Sequence, residues 1–141
     1  MLLDGETQFS NRQAVTATAV STNFIDLQEV GTRPFGNGPL RRDIGGWGID
    51  LLVQVTQNFA GGTSIAVQMQ TDDNPGFTSA TTVAATPAVP VAQLVAGYRF
   101  PMSDFPVGTV ERYVRLNYVV VGTMTAGTIT AAVAAGVDRN V

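Results

Sequence analysis

The chain of 141 residues contains no histidine, no cysteine and no lysine, and all eight of its positive charges are arginines. Histidine titrates near neutral pH, cysteine supplies thiolates, and lysine forms Schiff bases and binds phosphates. Acid–base or nucleophilic chemistry would therefore depend on carboxylates and hydroxyls alone. The usual cysteine and histidine ligands of structural zinc are also missing. We expect a protein that is not an enzyme and that uses no metal, cofactor or small-molecule substrate.

Positive charge is scarce as well. The formal net charge is −3 and the pI is about 4.6, so the basic surface that neutralises nucleic-acid phosphates is not available. No apolar run approaches the ~20 residues of a membrane-spanning helix. The first six residues carry two acids where a signal peptide would carry positive charge. We expect a soluble, unexported protein that binds neither nucleic acid nor membrane.

The chain is rich in strand-forming residues, with 19 valines and 17 threonines. Ile49, Leu51, Val53 and Val55 alternate with polar residues and predict a strand over 49–57. A second alternating run over 65–69 follows a turn at 60–63, so the two strands are expected to form a hairpin. Further strands are predicted over 14–20, 24–27, 81–85, 98–102, 111–121 and, after a turn at 125–127, 128–133. A short helical turn is predicted over 91–97.

About eight strands and almost no helix predict an all-β, single-domain antiparallel sandwich of jelly-roll-like type. The polar residues 1–13 precede the first predicted strand, and we interpret them as an extended N-terminal arm with Phe9 as its apolar anchor. Residues 14–141 would form the β-sandwich domain.

Two polar or glycine-rich segments have alternative interpretations. Asp72, Asp73 and Asn74 carry hard oxygen ligands that would suit calcium, but the EF-hand spacing is missing. A tight turn capped by Asp and Asn explains the same residues. The glycines of 31–48 suggest a phosphate-binding loop, but no helix follows and no lysine is present. Positive φ angles or close backbone approach explain them better.

Contacts with a partner are expected from the arm and from the 31–48 loop. Arginine and aromatic side chains are enriched at protein interfaces, and long loops are often packed on a partner. The candidate contact residues are Met1, Leu2, Leu3, Phe9, Arg12, Phe35, Arg41, Arg42 and Trp47. For Glu111, Arg112 and Arg115, cross-strand ion pairs on a sheet face are expected by default, and contacts with a partner are the alternative.

Short stretches spread in order along the chain resemble the Bbp16-like phage capsid decoration proteins. They are residues 9–10, 13–19, 21–23, 52–55, 70–74, 90–92, 94–99, 111–118 and 125–127. The resemblance implies a cement protein of the virion that sits on the outer surface of the head. It would be made in the cytoplasm of a host bacterium, would bridge neighbouring major capsid proteins of the HK97-like type, and would assemble as a homodimer or homotrimer. It implies no catalytic residue.

Two other functions stay open at this stage. A carbohydrate-binding or adhesin module would use exposed aromatics, for which Trp47, Tyr98, Tyr113 and Tyr118 are the candidates. A small glycosidase needs only two carboxylates. The acids available to it are Asp4, Glu6, Asp72, Asp73, Asp104 and Glu111, and their spacing singles out no pair.

Overall fold

The computed structural model describes residues 2–28, 44–46 and 48–135, and these residues form nine strands. The strands are β1 (Leu2–Ala14), β2 (Ala19–Val20), β3 (Ile25–Asp26), β4 (Asp50–Gly61), β5 (Ser64–Asp72), β6 (Thr81–Ala85), β7 (Val89–Pro90), β8 (Tyr113–Val121) and β9 (Met124–Ala135). A 3-10 turn covers Val91–Gln93, in agreement with the predicted helical turn. No helix within the described residues is long and apolar enough to cross a membrane.

The strands divide between two antiparallel sheets. The smaller sheet has the order β1-β9-β4, and the larger has the order β2-β8-β5-β6, with β3 also on β8 and β7 also on β5. Their facing side chains form one core. Buried residues alternate along β5 and β8, whereas β4 and β9 also contain runs of consecutive buried residues, 51–53 and 129–132. The all-β antiparallel sandwich predicted from the sequence is confirmed.

The predicted hairpin of β4 and β5 is wrong. β4 pairs with β9 in the smaller sheet, whereas β5 pairs with β8 in the larger one. The chain therefore passes from one sheet to the other at Gly61 and Gly62, and again between β8 and β9 at Gly122. All three glycines have positive φ angles, of 75°, 45° and 84°. Alternation identified the strands correctly, but it does not specify which strand lies beside which.

The predicted turn at 125–127 is also wrong, because β9 begins at Met124 and continues through these residues. Gly127 serves packing here. A Cβ atom at this position would lie 2.2 Å from a ring carbon of Phe59, and the φ angle is 129°. The absence of a side chain lets the Phe59 ring lie on the backbone of β9.

Residues 2–14 form a strand of the smaller sheet, so the interpretation of 1–13 as an extended arm is corrected for the part that the structure describes. β1 pairs with β9 along its length, for example Ser10 with Ala131 and Gln13 with Ile129. Phe9 is fully buried in the core. The polar composition of the segment reflects an edge strand in which, among residues 3–14, Phe9 and Ser10 are the buried ones.

A buried hydroxyl pair connects β1 to the larger sheet. The Ser10 Oγ atom lies 2.7 Å from the Tyr118 hydroxyl and 2.7 Å from Gln13 Oε1. Because Oε1 can only accept, Ser10 donates to Gln13, and the Tyr118 hydroxyl must donate to Ser10. Both Ser10 and Tyr118 are fully buried, and burial raises the pKa of Tyr118 well above its usual value. The pair therefore fixes the separation of the two sheets at this end.

We expect Ser10→Ala to destabilise the protein more than Tyr118→Phe. The serine change leaves a buried phenol without an acceptor, at a cost of about 2–3 kcal/mol, whereas the tyrosine change leaves Ser10 bonded to Gln13 and costs about 1 kcal/mol. Urea unfolding of both variants measures the difference. The double variant should be no less stable than Ser10→Ala, and the reverse order of the single variants would contradict the assignment.

Gly127→Ala should lower the free energy of unfolding by about 3 kcal/mol, because the methyl group collides with Phe59 and the backbone is strained. Gly97→Ala is the matched control. Gly97 also has a positive φ angle, of 96°, but nothing lies within 4 Å of a Cβ atom there, so only the strain remains. Equal losses in the two variants, measured by chemical unfolding, would show that packing on Phe59 is not the reason for Gly127.

Candidate contact surface

The expected contact residues of the N-terminal segment have different surroundings in the structure. Leu3 is exposed, at 39%, and pairs with Ala134 at the edge of the smaller sheet. The backbone of Leu2 pairs with Ala135. Phe9 belongs to the core, so its side chain is not available to a partner in the folded chain. Met1, Phe35, Arg41, Arg42 and Trp47 lie outside the described residues.

Arg12 occupies an irregular point of β1. Its φ angle is 49°, which is uncommon for a residue other than glycine, and the register of β1 on β9 shifts between Ser10 and Gln13. Its backbone N–H donates to the Thr130 hydroxyl at 3.0 Å. Irregularities of this kind redirect a side chain, and Arg12 is exposed. Arg12 and Leu3 therefore remain accessible residues of the edge strand.

The end of the Gly-rich segment approaches the loop that precedes β8. A Cβ atom on Gly45 would lie 2.0 Å from the Pro106 carbonyl oxygen, and Gly46 and Gly48 have φ angles of 76° and 69°. The interpretation of the Gly-rich segment is therefore confirmed for these three residues: Gly45 is required by close backbone approach, and Gly46 and Gly48 have positive φ angles. Beside them is a cleft of about 570 Å³, lined by Ile44, Gly46, Gly48, Ile49, Asp50, Asp104, Phe105 and Val107.

The segment that follows β5 is a turn organised by one carboxylate. Asp72 is 3% exposed, and its oxygens accept the backbone N–H groups of Asn74 at 2.9 Å and Ser79 at 2.8 Å. The Asn74 side chain accepts the Gly76 N–H at 2.8 Å. These bonds support the tight-turn interpretation of 72–76. Within the described residues, no group of three or more acidic side chains is placed to hold a metal ion.

The turn places Phe77 on the outer face of the larger sheet. Phe77 has a φ angle of 50° and is 8% exposed, an uncommon backbone conformation for a bulky residue. The centre of its ring lies 4.3 Å from the guanidinium carbon of Arg115. It also contacts Phe24 edge-on, at 5.8 Å between ring centroids.

Phe24 and Tyr113 complete an aromatic–arginine group on this face. Phe24 is 44% exposed and contacts Tyr113 edge-on at 5.4 Å. The Arg112 guanidinium lies 5.1 Å from the centre of the Tyr113 ring and binds both carboxylate oxygens of Asp26, at 2.8 and 3.0 Å. We call Phe24, Phe77, Arg112, Tyr113 and Arg115 the aromatic–arginine surface.

The two arginines of this surface have different partners. The ion pair of Arg112 with Asp26 is the cross-strand pair expected by default. Arg115 instead donates Nε to Gln70 Oε1 at 2.9 Å. Burial lowers the pKa of Arg115, and the charge of Asp72 acts in the opposite direction. Sequence reasoning did not identify Phe24 or Phe77, whose positions depend on β3 and on the Asp72 turn.

The tyrosines considered for carbohydrate binding are engaged within the chain. Tyr118 is fully buried, and Tyr98 packs edge-on against Phe100 at 5.5 Å. Tyr113 is covered on one ring face by Arg112 and contacted by Phe24. Tyr118 therefore offers no ring face to a sugar, and Tyr98 and Tyr113 each have ring contacts within the chain.

Comparison with known proteins identifies the family. The family model described as Bbp16 matches residues 9–133, which run from the second half of β1 through all but the last two residues of β9. The chain therefore belongs to the Bbp16 family. No curated protein matches it.

Replacing Asp72 with asparagine should flatten the dependence of stability on pH in acid. The N–H groups of Asn74 and then Ser79 lower the pKa of Asp72 below its usual 3.8. Asp72 therefore contributes stability that is complete above that value and is lost as the pH falls through the folded-state pKa. We expect the free energy of unfolding of the wild type, measured by urea titration between about pH 6 and pH 2, to fall more steeply than that of Asp72→Asn. Parallel curves would contradict this role.

Proposed function

We propose that this protein is a capsid cement protein, which binds the outer surface of an assembled phage head and stabilises it by bridging neighbouring major capsid proteins. Membership of the Bbp16 family over residues 9–133 is the observation that carries the proposal. The partner is a major capsid protein of the HK97-like type, and the cement protein acts as a homodimer or homotrimer. A ligand that binds only the assembled state stabilises that state by mass action.

The fold is compatible with such a role for physical reasons. A cement protein has to transmit force between subunits without unfolding, and here the core is continuous from one sheet to the other. Many copies on one head add their contributions, so each contact surface can be modest. The accessible residues of the edge strand, Leu3 and Arg12, are contact candidates that the structure leaves open to a partner.

The test uses heads prepared without the protein, to which the purified protein is added. We expect saturable binding to intact heads, extra density on the outer surface by cryo-electron microscopy, and a higher temperature of DNA release on heating. Unassembled capsid subunits are the control and should bind weakly. Deleting residues 1–12 is not a suitable variant, because it removes most of β1.

Absence of binding to intact heads would overturn the proposal. Binding of the isolated protein to a glycan array without any association with heads would favour the carbohydrate-binding or adhesin alternative instead.

A further inference from the structure

The aromatic–arginine surface combines an exposed apolar ring with a guanidinium group that is held in place. Ile25 pairs with Val114 and Asp26 with Tyr113, so the same antiparallel register places Phe24 beside Arg115. Phe24 exposes 44% of its area. An exposed phenylalanine beside a fixed arginine is typical of residues that dominate protein interfaces.

The guanidinium of Arg115 is oriented from two sides. The Phe77 ring lies on it at 4.3 Å, and Gln70 accepts its Nε–H at 2.9 Å. Within the described part of the chain, no hydrogen bond reaches the two Nη atoms. An arginine fork that is already oriented loses little side-chain entropy when it binds a carboxylate through two parallel hydrogen bonds.

The backbone is strained to maintain this arrangement. Phe77 holds its ring over Arg115 from a left-handed conformation, with a φ angle of 50°, and the buried Asp72 fixes the turn that carries it. Strain of this kind persists only where the surrounding structure enforces it, and it concentrates at functional positions.

The charges of the neighbourhood indicate the chemistry of the partner. Arg112 is neutralised by Asp26, so Arg115 is the cation of this surface that lacks a bidentate carboxylate. A nucleic acid is a poor match, because Asp73 and Glu111 lie at the same end of the sheet and the chain has a net charge of −3. A protein segment with one carboxylate beside an apolar side chain fits both Arg115 and Phe24.

We infer that the aromatic–arginine surface binds a segment of a partner protein that presents one carboxylate beside an apolar side chain, with Arg115 holding the carboxylate through its Nη atoms and Phe24 packing against the apolar side chain. This inference rests on the proposed function for the identity of the partner, which would be the protein surface of the assembled head.

The test measures the concentration of protein that half-saturates heads prepared without it. Arg115→Gln should raise this concentration about 10- to 100-fold, because a charge-assisted pair is lost. Arg115→Lys keeps the charge but not the fork, and should fall between the wild type and Arg115→Gln. Phe24→Ser should weaken binding at least about fivefold.

Two control variants remove the same chemistry elsewhere. Arg99→Gln removes an exposed arginine beside the smaller sheet, and Val95→Ser removes an apolar side chain that is 49% exposed. Both should bind heads like the wild type. All variants should keep a wild-type circular dichroism spectrum, and a variant with altered unfolding is compared at a temperature where it is fully folded.

The outcomes separate the two proposals. If the wild type binds heads and both Arg115→Gln and Phe24→Ser bind within twofold of it, the aromatic–arginine surface is not the contact and the cement function stands. If Arg99→Gln and Arg115→Gln weaken binding equally, the proposed role of the aromatic–arginine surface is also wrong, because the change in net charge alone would explain the weaker binding. If the wild type does not bind heads at all, the proposed function itself fails.

Discussion

The rest of the structure depends on one bend, at which two antiparallel segments of the chain pass together from the smaller sheet to the larger one. The segments 50–72 and 113–135 pair with each other in both sheets, first as β4 with β9 and then as β5 with β8. At the bend, the Gly62 N–H donates to the Thr123 carbonyl at 2.8 Å. A Cβ atom on Gly122 would lie 2.9 Å from the Gly62 Cα atom. Side chains here would separate the two backbones and open the core.

The aromatic–arginine surface depends on these two paired segments. Because β8 lies in the middle of the larger sheet, its outward residues Tyr113 and Arg115 are supported by β3 on one side and by β5 on the other. The Asp72 turn begins where β5 ends, so it folds back over the same face. The aromatic–arginine surface is thus built on strands that also form the core. Its geometry is preorganised, which reduces the entropy lost on binding.

Much of the fold is predictable from the sequence, because alternation marks β4 and β5 directly and strand-forming composition marks most of β8 and β9. Strand partners are less predictable. A glycine pair such as Gly61 and Gly62 suits a tight hairpin, which would pair β4 with β5, and it equally suits a bend that places the two strands in different sheets. The composition of the N-terminal segment predicts an arm for a related reason: an edge strand with one buried apolar anchor, Phe9, is as polar as an arm. The candidate surface depends on Phe24 and Phe77, which come together only through β3 pairing and the Asp72 turn. No local sequence pattern predicts that these two rings lie side by side.

The absence of lysine has a physical consequence for a surface of this kind. A lysine ammonium is strongly hydrated and mobile, and it pairs as a point charge, whereas a guanidinium stacks on aromatic rings and binds carboxylates in a fixed plane. In this chain, Arg112 lies over Tyr113 and Arg115 over Phe77, so both cations are immobilised by aromatic neighbours. A weak contact repeated at many copies gains most when each copy loses little entropy on binding. Arginines that are held on aromatic rings reduce the entropy lost at each copy.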